Sequence, residues 1–317
     1  MAIVPSFRPA KRSQCKAAVV IGGLAGSGKS GLALAMAHAL TKDWSKIAAV
    51  DTENRSLDLY TGLTLHTGDV ADGFSVGDLT AEDGYKPSHY MAFREAAINS
   101  GFTALICDSI SHMWQYKGGV LDMVNDAKRS NTCKNDYTVW GLPEIAAEKN
   151  LIIEMIRHPK LHCINTIRVK EKMEIVTEDG KTKIKSLGEQ QIIMPDFKFE
   201  PDLVLMMLTP GDDTGRAPVG YVEKSRYSLL KVGETYSFTA ELLEQLRMFL
   251  EEGTSPEALM EMQRQDYIEA IKAYLDEHPN AKAIWPALKE NMHIEEGVKL
   301  TELKLSQMKA LYSQLAT

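Results

Sequence analysis

Short apolar runs rich in β-branched residues recur over the first 230 positions and alternate with stretches of helical character. Ala17-Ala18-Val19-Val20-Ile21, Ile47 to Val50, Thr103 to Cys107, Leu161 to Ile167, Leu203 to Leu208 and Val219 to Val222 predict strands. Residues 31 to 37, 88 to 99 and 142 to 157 predict helices. Strands alternating with helices imply an α/β fold around a largely parallel central sheet. The pattern changes at Glu251-Glu252-Gly253-Thr254-Ser255-Pro256. Beyond it Tyr267, Ile268, Ile271, Tyr274 and Leu275 share one helical face, as do Leu305, Met308, Leu311, Tyr312 and Leu315, and Trp285-Pro286 predicts a break between them. The chain therefore divides into an N-terminal arm (1–16), an α/β core (17–252) and a small helical C-terminal domain (253–317).

Length and composition allow this division: 317 residues, 44% of them hydrophobic, suffice for one large core and a smaller unit. The net charge of −7 is unevenly spread, because residues 251–317 carry 12 acidic and 7 basic side chains, a net of −5. Four scattered cysteines (Cys15, Cys107, Cys133, Cys163) show no C-x-x-C spacing, and the N-terminus lacks the apolar centre of a signal peptide. No run approaches the ~18 apolar residues of a membrane span. A cytoplasmic protein without a membrane partner is the expectation.

Residues 23–30, GLAGSGKS, fit G-x-x-x-x-G-K-[ST] between a predicted strand and a predicted helix. In that context Gly23, Gly26 and Gly28 let the backbone wrap phosphate oxygens. The N–H groups around Ser27 and Gly31 face the phosphates, Lys29 reaches the β/γ-phosphates and the Ser30 hydroxyl can ligate Mg²⁺. A glycine-rich turn without a ligand is the alternative. The predicted strand Ala104-Leu105-Ile106-Cys107 ends in Asp108, suited to hold the Mg²⁺ shell opposite Ser30. The strand before Val50-Asp51-Thr52-Glu53 places Glu53 at a carboxyl edge, where it can deprotonate or orient a water. Each acid has a plainer reading as a turn or cap residue.

Residues 169–199 form a long connection in which Lys170, Lys172, Lys181, Lys183 and Lys185 alternate with apolar side chains around the turn Glu178-Asp179-Gly180-Lys181, preceded by Arg168. This predicts a β-hairpin whose cations could track a phosphate backbone, although its glutamates fit a solvated edge as well. The segment with Lys117, Lys128, Arg129 and Lys134 is a second basic candidate.

In VDTENRSLDLY the spacing from Glu53 to Tyr60 resembles the RecA-type recombinase core, where an acidic segment carries the catalytic Glu and a Tyr seven residues later stacks on adenine. INTIR (164–168) resembles the strand leading into that family's DNA-binding loop, with Thr166 standing where recombinases carry a γ-phosphate-sensing Gln. VEKSR (222–226) resembles the late strand whose paired cations, here Lys224 and Arg226, complete a neighbouring subunit's site. Phe7-Arg8-Pro9-Ala10 resembles an F-x-x-A oligomerisation tether through Phe7 and Ala10; a simple docked or disordered arm is the alternative. The order KPSHYMAFREAAINSGFTALICDSISHMW, GGVLDMVNDAK, VWGLPEIAAEKNLIIEMI, IRVKEKMEI and FKFEPDLVLMM is similar to phage-encoded RecA-like ATPases of the Sak single-strand annealing type, over residues 17–231.

The resemblance implies a RecA-like P-loop NTPase core that uses ATP and Mg²⁺, binds single-stranded DNA and acts in recombination as a ring or filament of identical subunits, in a bacterial host's cytoplasm if phage-encoded. It implies catalytic roles for Glu53, Lys29, Lys224 and Arg226, and nucleotide contacts from Gly23, Gly26, Ser27, Gly28, Lys29, Ser30, Gly31 and Tyr60. Metal ligation would fall to Ser30 and Asp108. DNA contact would fall to Arg168 and the hairpin lysines. The resemblance says nothing of the tail; its net charge of −5 would repel a nucleic-acid backbone, so the expectation is that it restrains DNA binding or docks a single-stranded-DNA-binding or other recombination protein, with a simple cap on the core as the equal alternative. A RecA-fold replicative helicase and a nucleotide-gated adaptor with little turnover are the competing functions, and a small-molecule kinase is disfavoured by the lack of an Arg-rich lid.

Overall fold

The computed structural model describes residues 10–130, 136–178, 181–211, 216–292, 294 and 298–315, with 136–137, 171–178, 181–189, 256, 279–280, 282–284 and 291 described by backbone alone. Two compact units are present, Lys16–Leu250 and a second made of Met1–Cys15 with Glu251–Thr317.

The larger unit is built on a sheet. Its strands are β1 (Ala18–Gly23), β2 (Ile47–Asp51), β3 (Ser75–Asp78), β4 (Ala104–Asp108), β5 (His162–Glu178), β6 (Lys181–Gln191), β7 (Leu203–Thr209), β8 (Val219–Ser225) and β9 (Thr235–Ser237). The order is β3-β2-β4-β5-β1-β7-β8-β9, with β6 pairing only with β5. β3, β2, β4, β5, β1 and β7 run parallel, and β8, β9 and β6 are added antiparallel. The expected α/β architecture with a mostly parallel sheet is present.

Helices cover both faces, which is why the central strands read as unbroken apolar runs. On one face Val19, Ile21, Ile106, Ile164 and Leu205 pack with α1 (Lys29–Thr41) and α7 (Ala240–Glu251). On the other, Val20, Leu105, Cys107, Cys163 and Val204 pack with residues of α2 (Pro87–Asn99), α4 (Val120–Arg129) and α6 (Pro143–Met155). The short helices α3 (His112–Gln115) and α5 (Asp136–Val139) join these layers. α1 is buried from Leu32 through Ala37 on every side, as its uninterrupted Leu/Ala/Met composition requires.

Register fixes which residues meet at the carboxyl edge. Asp51 pairs with Asp108, Cys107 with Asn165, and Ile21 with Thr166, so Asp51, Asp108, Thr166 and Ile21 form one row across four strands. Side chains alternate along a strand, and Ala49, Ile106 and Ile164, two residues earlier, all face α1. Asp51, Asp108, Thr166 and Arg168 therefore share the α1 side of the sheet. The expected hairpin is present as an extension of β5: Val169 pairs with Gln191 and Glu178 with Lys181.

In the second unit, Gln14 and Thr254 pair as backbone neighbours (2.9 Å), and Arg12 bridges Glu252 at 2.9 Å. The described part of the segment expected to be a separate arm, residues 10–15, thus groups with the unit that begins at Glu251. α8 (Pro256–Glu277) starts at an N-cap Ser255 whose hydroxyl accepts from the Ala258 N–H at 3.1 Å. α9 (Pro279–Asn291) and α10 (Leu305–Leu315) complete the helices, around Ile268, Ile271, Leu303, Met308, Leu311 and Leu315. The break expected at Trp285-Pro286 is not there: Pro286 lies inside α9, and the chain turns at His278-Pro279. Pro279 takes a first-turn position, where no N–H is needed, so it starts a helix rather than ending one. Among the described residues no helix is long and apolar enough to cross a membrane.

Candidate functional site

The loop from β1 to α1 is shaped by backbone that only glycine accepts readily. Gly28 has φ +82°, and a Cβ there would stand 2.9 Å from the Pro210 Cα, so both conformation and space exclude a side chain. The loop leaves Ser27 Oγ buried, without a hydrogen-bond partner among the described residues. Lys29 Nζ donates to the Leu24 carbonyl at 2.8 Å; burial pulls its pKa below the ordinary value, opposed by Asp108 and Glu53 and reinforced by Arg168.

Ser30, the second residue of α1, donates from Oγ to Asp108 Oδ2 at 2.5 Å. Thr166, in the same row on β5, donates its hydroxyl to Asp108 Oδ1. Both carboxylate oxygens are thus engaged by hydroxyls. Burial holds the Asp108 carboxyl above the usual carboxylate range, with those two hydrogen bonds working against it. Thr166 is fully buried and occupied with Asp108.

Glu53 stands on a turn organised by Asp51. Asp51 Oδ1 accepts from the Glu53 N–H at 2.6 Å and Oδ2 from the Leu57 N–H at 2.8 Å, and between them Asn54 and Arg55 hold φ of 56° and 63°. The Glu53 carboxylate accepts from Arg168 Nε at 2.8 Å. Burial would raise its pKa, but the Arg168 hydrogen bond and charge outweigh that and hold it below the usual range. Arg168 also donates from a terminal nitrogen to the Tyr116 hydroxyl at 2.7 Å. Next to it, His112 Nδ1 lies 2.6 Å from Thr52 Oγ1 and its ring stands edge-on to Tyr116 at 4.2 Å. Burial first, and the Arg168 charge second, depress the His112 pKa to about 4. Asp51, Thr52, His112 and Tyr116 were not predicted as site residues; their partners lie up to 60 positions away in the chain.

Tyr60 lies against the start of α1: a Cβ on Gly31 would be 3.4 Å from its ring. With Gly26, Gly28, Gly31, His66 and Pro210 it lines a cleft of about 340 Å³, enough for much of a small organic ligand. Gly23, Gly26, Ser27, Gly28, Lys29, Ser30, Gly31, Tyr60, Glu53 and Asp108 are therefore neighbours. No group of three or more His, Cys, Asp or Glu able to hold a metal occurs among the described residues.

The remaining sequence candidates lie elsewhere. Lys224 is paired in register with Val204, near the start of β7, and thus sits at the sheet edge opposite the Gly23–Ser30 loop. Its ammonium donates to the Lys198 and Phe199 carbonyls at 2.8 and 2.6 Å. Arg226 donates to Asp202 Oδ1 at 3.0 Å. Lys170 is exposed where β5 leaves the sheet, while the side chains of Lys172, Lys181, Lys183 and Lys185 lie outside the described residues. Lys117, Lys128 and Arg129 are exposed around α4, and Lys134 lies outside the described residues, as does Phe7; Ala10 is exposed.

No protein-family model matches the chain, and no curated protein matches it at significant similarity.

Proposed function

We propose that the chain is an ATPase of the RecA-like type that binds single-stranded DNA and works as a homo-oligomer in recombination or strand annealing. The observation that carries the reading is the convergence of Ser30, Asp108 and Lys29 at the Gly23–Ser30 loop, with Glu53 two residues past the end of β2, the neighbour of the strand that ends in Asp108. Backbone N–H groups of residues 26–31 would receive the phosphates, and Lys29 would neutralise them.

The donor set suits one Mg²⁺. Asp108 is a buried carboxylate whose partners are two hydroxyls, Ser30 offers an oxygen beside it, and Mg²⁺ commonly takes one or two protein ligands and completes its shell with phosphates and water. When bound there it would neutralise charge building on the phosphates. Glu53 takes a proton from a water whose oxygen bonds to the γ-phosphorus. The bond from phosphorus to the bridging oxygen breaks, ADP leaves with that electron pair, and Glu53 returns the proton to solvent. ATP and water thus give ADP, phosphate and a proton.

The DNA half of the reading is supported by the β5–β6 hairpin, which continues from Arg168 past the carboxyl edge and begins with exposed Lys170. Phosphate release from Mg·ATP, measured with single-stranded, double-stranded and no DNA while oligomer size is followed by light scattering, tests it. Hydrolysis accelerated by single-stranded DNA in an assembly larger than a monomer is expected. ATP binding with slow turnover unaffected by DNA would favour a nucleotide-gated adaptor, and duplex unwinding by a closed ring a helicase.

A further inference from the structure

Arg168 stands at the point where β5 stops being part of the parallel sheet and becomes one arm of the hairpin. Its backbone pairs with Gly23, the last residue of β1, and its N–H is held by Ser111 Oγ at 2.8 Å. Two residues earlier on the same strand Thr166 holds Asp108. The guanidinium is fixed from two sides, by Glu53 Oε1 at 2.8 Å and by the Tyr116 hydroxyl at 2.7 Å, and lies 5.4 Å from the Tyr116 ring centre. Glu53 and Arg168 are 28% and 32% exposed, so this ion pair is screened less than a surface one.

Asp51 fixes the main chain of Glu53, but it does not touch the carboxylate. A glutamate side chain has three rotatable bonds, and among the described residues its one hydrogen-bond donor is Arg168. A charge-assisted bond from Nε to Oε1 selects one rotamer and leaves Oε2 for a water. This arrangement supplies what general-base catalysis needs besides basicity, a carboxylate held in one place.

Resting on the ATPase reading above, we propose that Arg168 is the positioning residue for Glu53, and that it ties the carboxylate to the β5–β6 hairpin. A ligand that shifts the hairpin where it leaves the sheet shifts Arg168, and Glu53 with it. Tyr116, by holding the far side of the guanidinium, is the second anchor.

The test uses the full-length protein. First, wild type is assayed for ATP binding and hydrolysis; absence of either refutes the ATPase reading and the positioning role together. Then kcat and KM for ATP, and affinity for single-stranded DNA, are measured for Arg168→Ala, Arg168→Lys, Tyr116→Phe, Glu53→Gln and the double variant Arg168→Ala/Glu53→Gln. Misplacing a catalytic group by about 1 Å can cost ~10²-fold, so Arg168→Ala is expected to lower kcat about 10- to 100-fold. Its KM for ATP should stay close to wild type, Arg168→Lys should recover part of the loss, and Tyr116→Phe should show a smaller drop. In the Glu53→Gln background Arg168→Ala should cost nothing further, because residues acting as one unit are not additive. Should Arg168→Ala fail to fold, Arg168→Lys and Tyr116→Phe carry the same comparison of kcat with KM. Unchanged kcat with weakened DNA binding would make Arg168 a DNA contact, and full additivity with Glu53→Gln would make its role independent of Glu53; either overturns the proposal.

Discussion

The two edges of the parallel sheet both gather cations, and they hold them differently. At the carboxyl edge Arg168 is bonded to Glu53, and Lys29 feels Asp108 and Glu53, with Asp108 and Thr166 almost wholly buried. At the opposite edge Lys224 is seated on two backbone carbonyls, and Arg226 shares Asp202 with Arg157, both arginines being about half exposed. Buried polar groups bonded to one another are costly to assemble and are kept where chemistry needs them. Lys224 on its carbonyls and the two half-exposed arginines on Asp202 keep much of their hydration, so they hold their place with less of the desolvation that the first edge carries. The first edge thus reads as a site, and the second as a surface that reaches a nucleotide only if another copy presents it.

The largest expected effect breaks the first edge. Lys29→Ala removes the ammonium that would neutralise the phosphates and should abolish hydrolysis and weaken ATP binding; normal turnover would show that the Gly23–Ser30 loop is not the nucleotide site. Next, Asp108→Asn keeps the shape and deletes the buried charge. Hydrolysis should fall by about 10²-fold, on the scale of losing one preorganised electrostatic contact. The ligand-free protein should become more stable rather than less, because burial already disfavours the Asp108 carboxylate. A lowered melting temperature would show that the charge is structural.

The opposite edge sharpens the contrast. Lys224→Ala or Arg226→Ala should bind ATP normally yet lose cooperative, DNA-stimulated turnover, and mixing either with Glu53→Gln should restore part of it. Lack of complementation in mixed assemblies would confine those cations to their own chain.

The smallest effect is a titration at the same edge. His162 opens β5, and its Nδ1 accepts from the Ala17 N–H at 3.1 Å; burial first, and Lys16 second, depress its pKa to about 3. Between that value and the ordinary ~6.5 the unfolded chain binds a proton that the folded chain does not. Its contribution to stability is therefore complete above about pH 6.5 and is lost as pH falls, by about 1.4 kcal/mol per pH unit. His162→Asn should flatten the fall in stability between pH 6.5 and pH 5, as read by urea denaturation; an unchanged slope would assign that fall to other groups, His112 first.

How much of this was legible in the chain depends on the range of the signal. β1, β2, β4, β7 and the sheet half of β5 were readable because a strand covered on both faces must be apolar throughout. β3, Ser-Val-Gly-Asp on the sheet edge, was not, because a half-exposed edge strand needs no apolar run. The Gly23–Ser30 loop announced itself through glycines that its backbone requires. Asp51 was visible only as one acid among several, since its role is to accept two N–H groups of a turn that the sequence does not draw. The Glu53–Arg168 pair spans 115 positions and follows from strand register, which period and composition do not encode.

On the proposed reading, the carboxyl edge hydrolyses ATP with Glu53 as the base. Its most direct test is phosphate release from Mg·ATP by wild type and Glu53→Gln side by side, with ATP binding measured on the same samples. Equal binding is expected, with a rate lower by roughly 10²- to 10⁴-fold in the variant, the usual worth of a general base. Equal rates in the two proteins, or a wild type that binds no ATP, would contradict it.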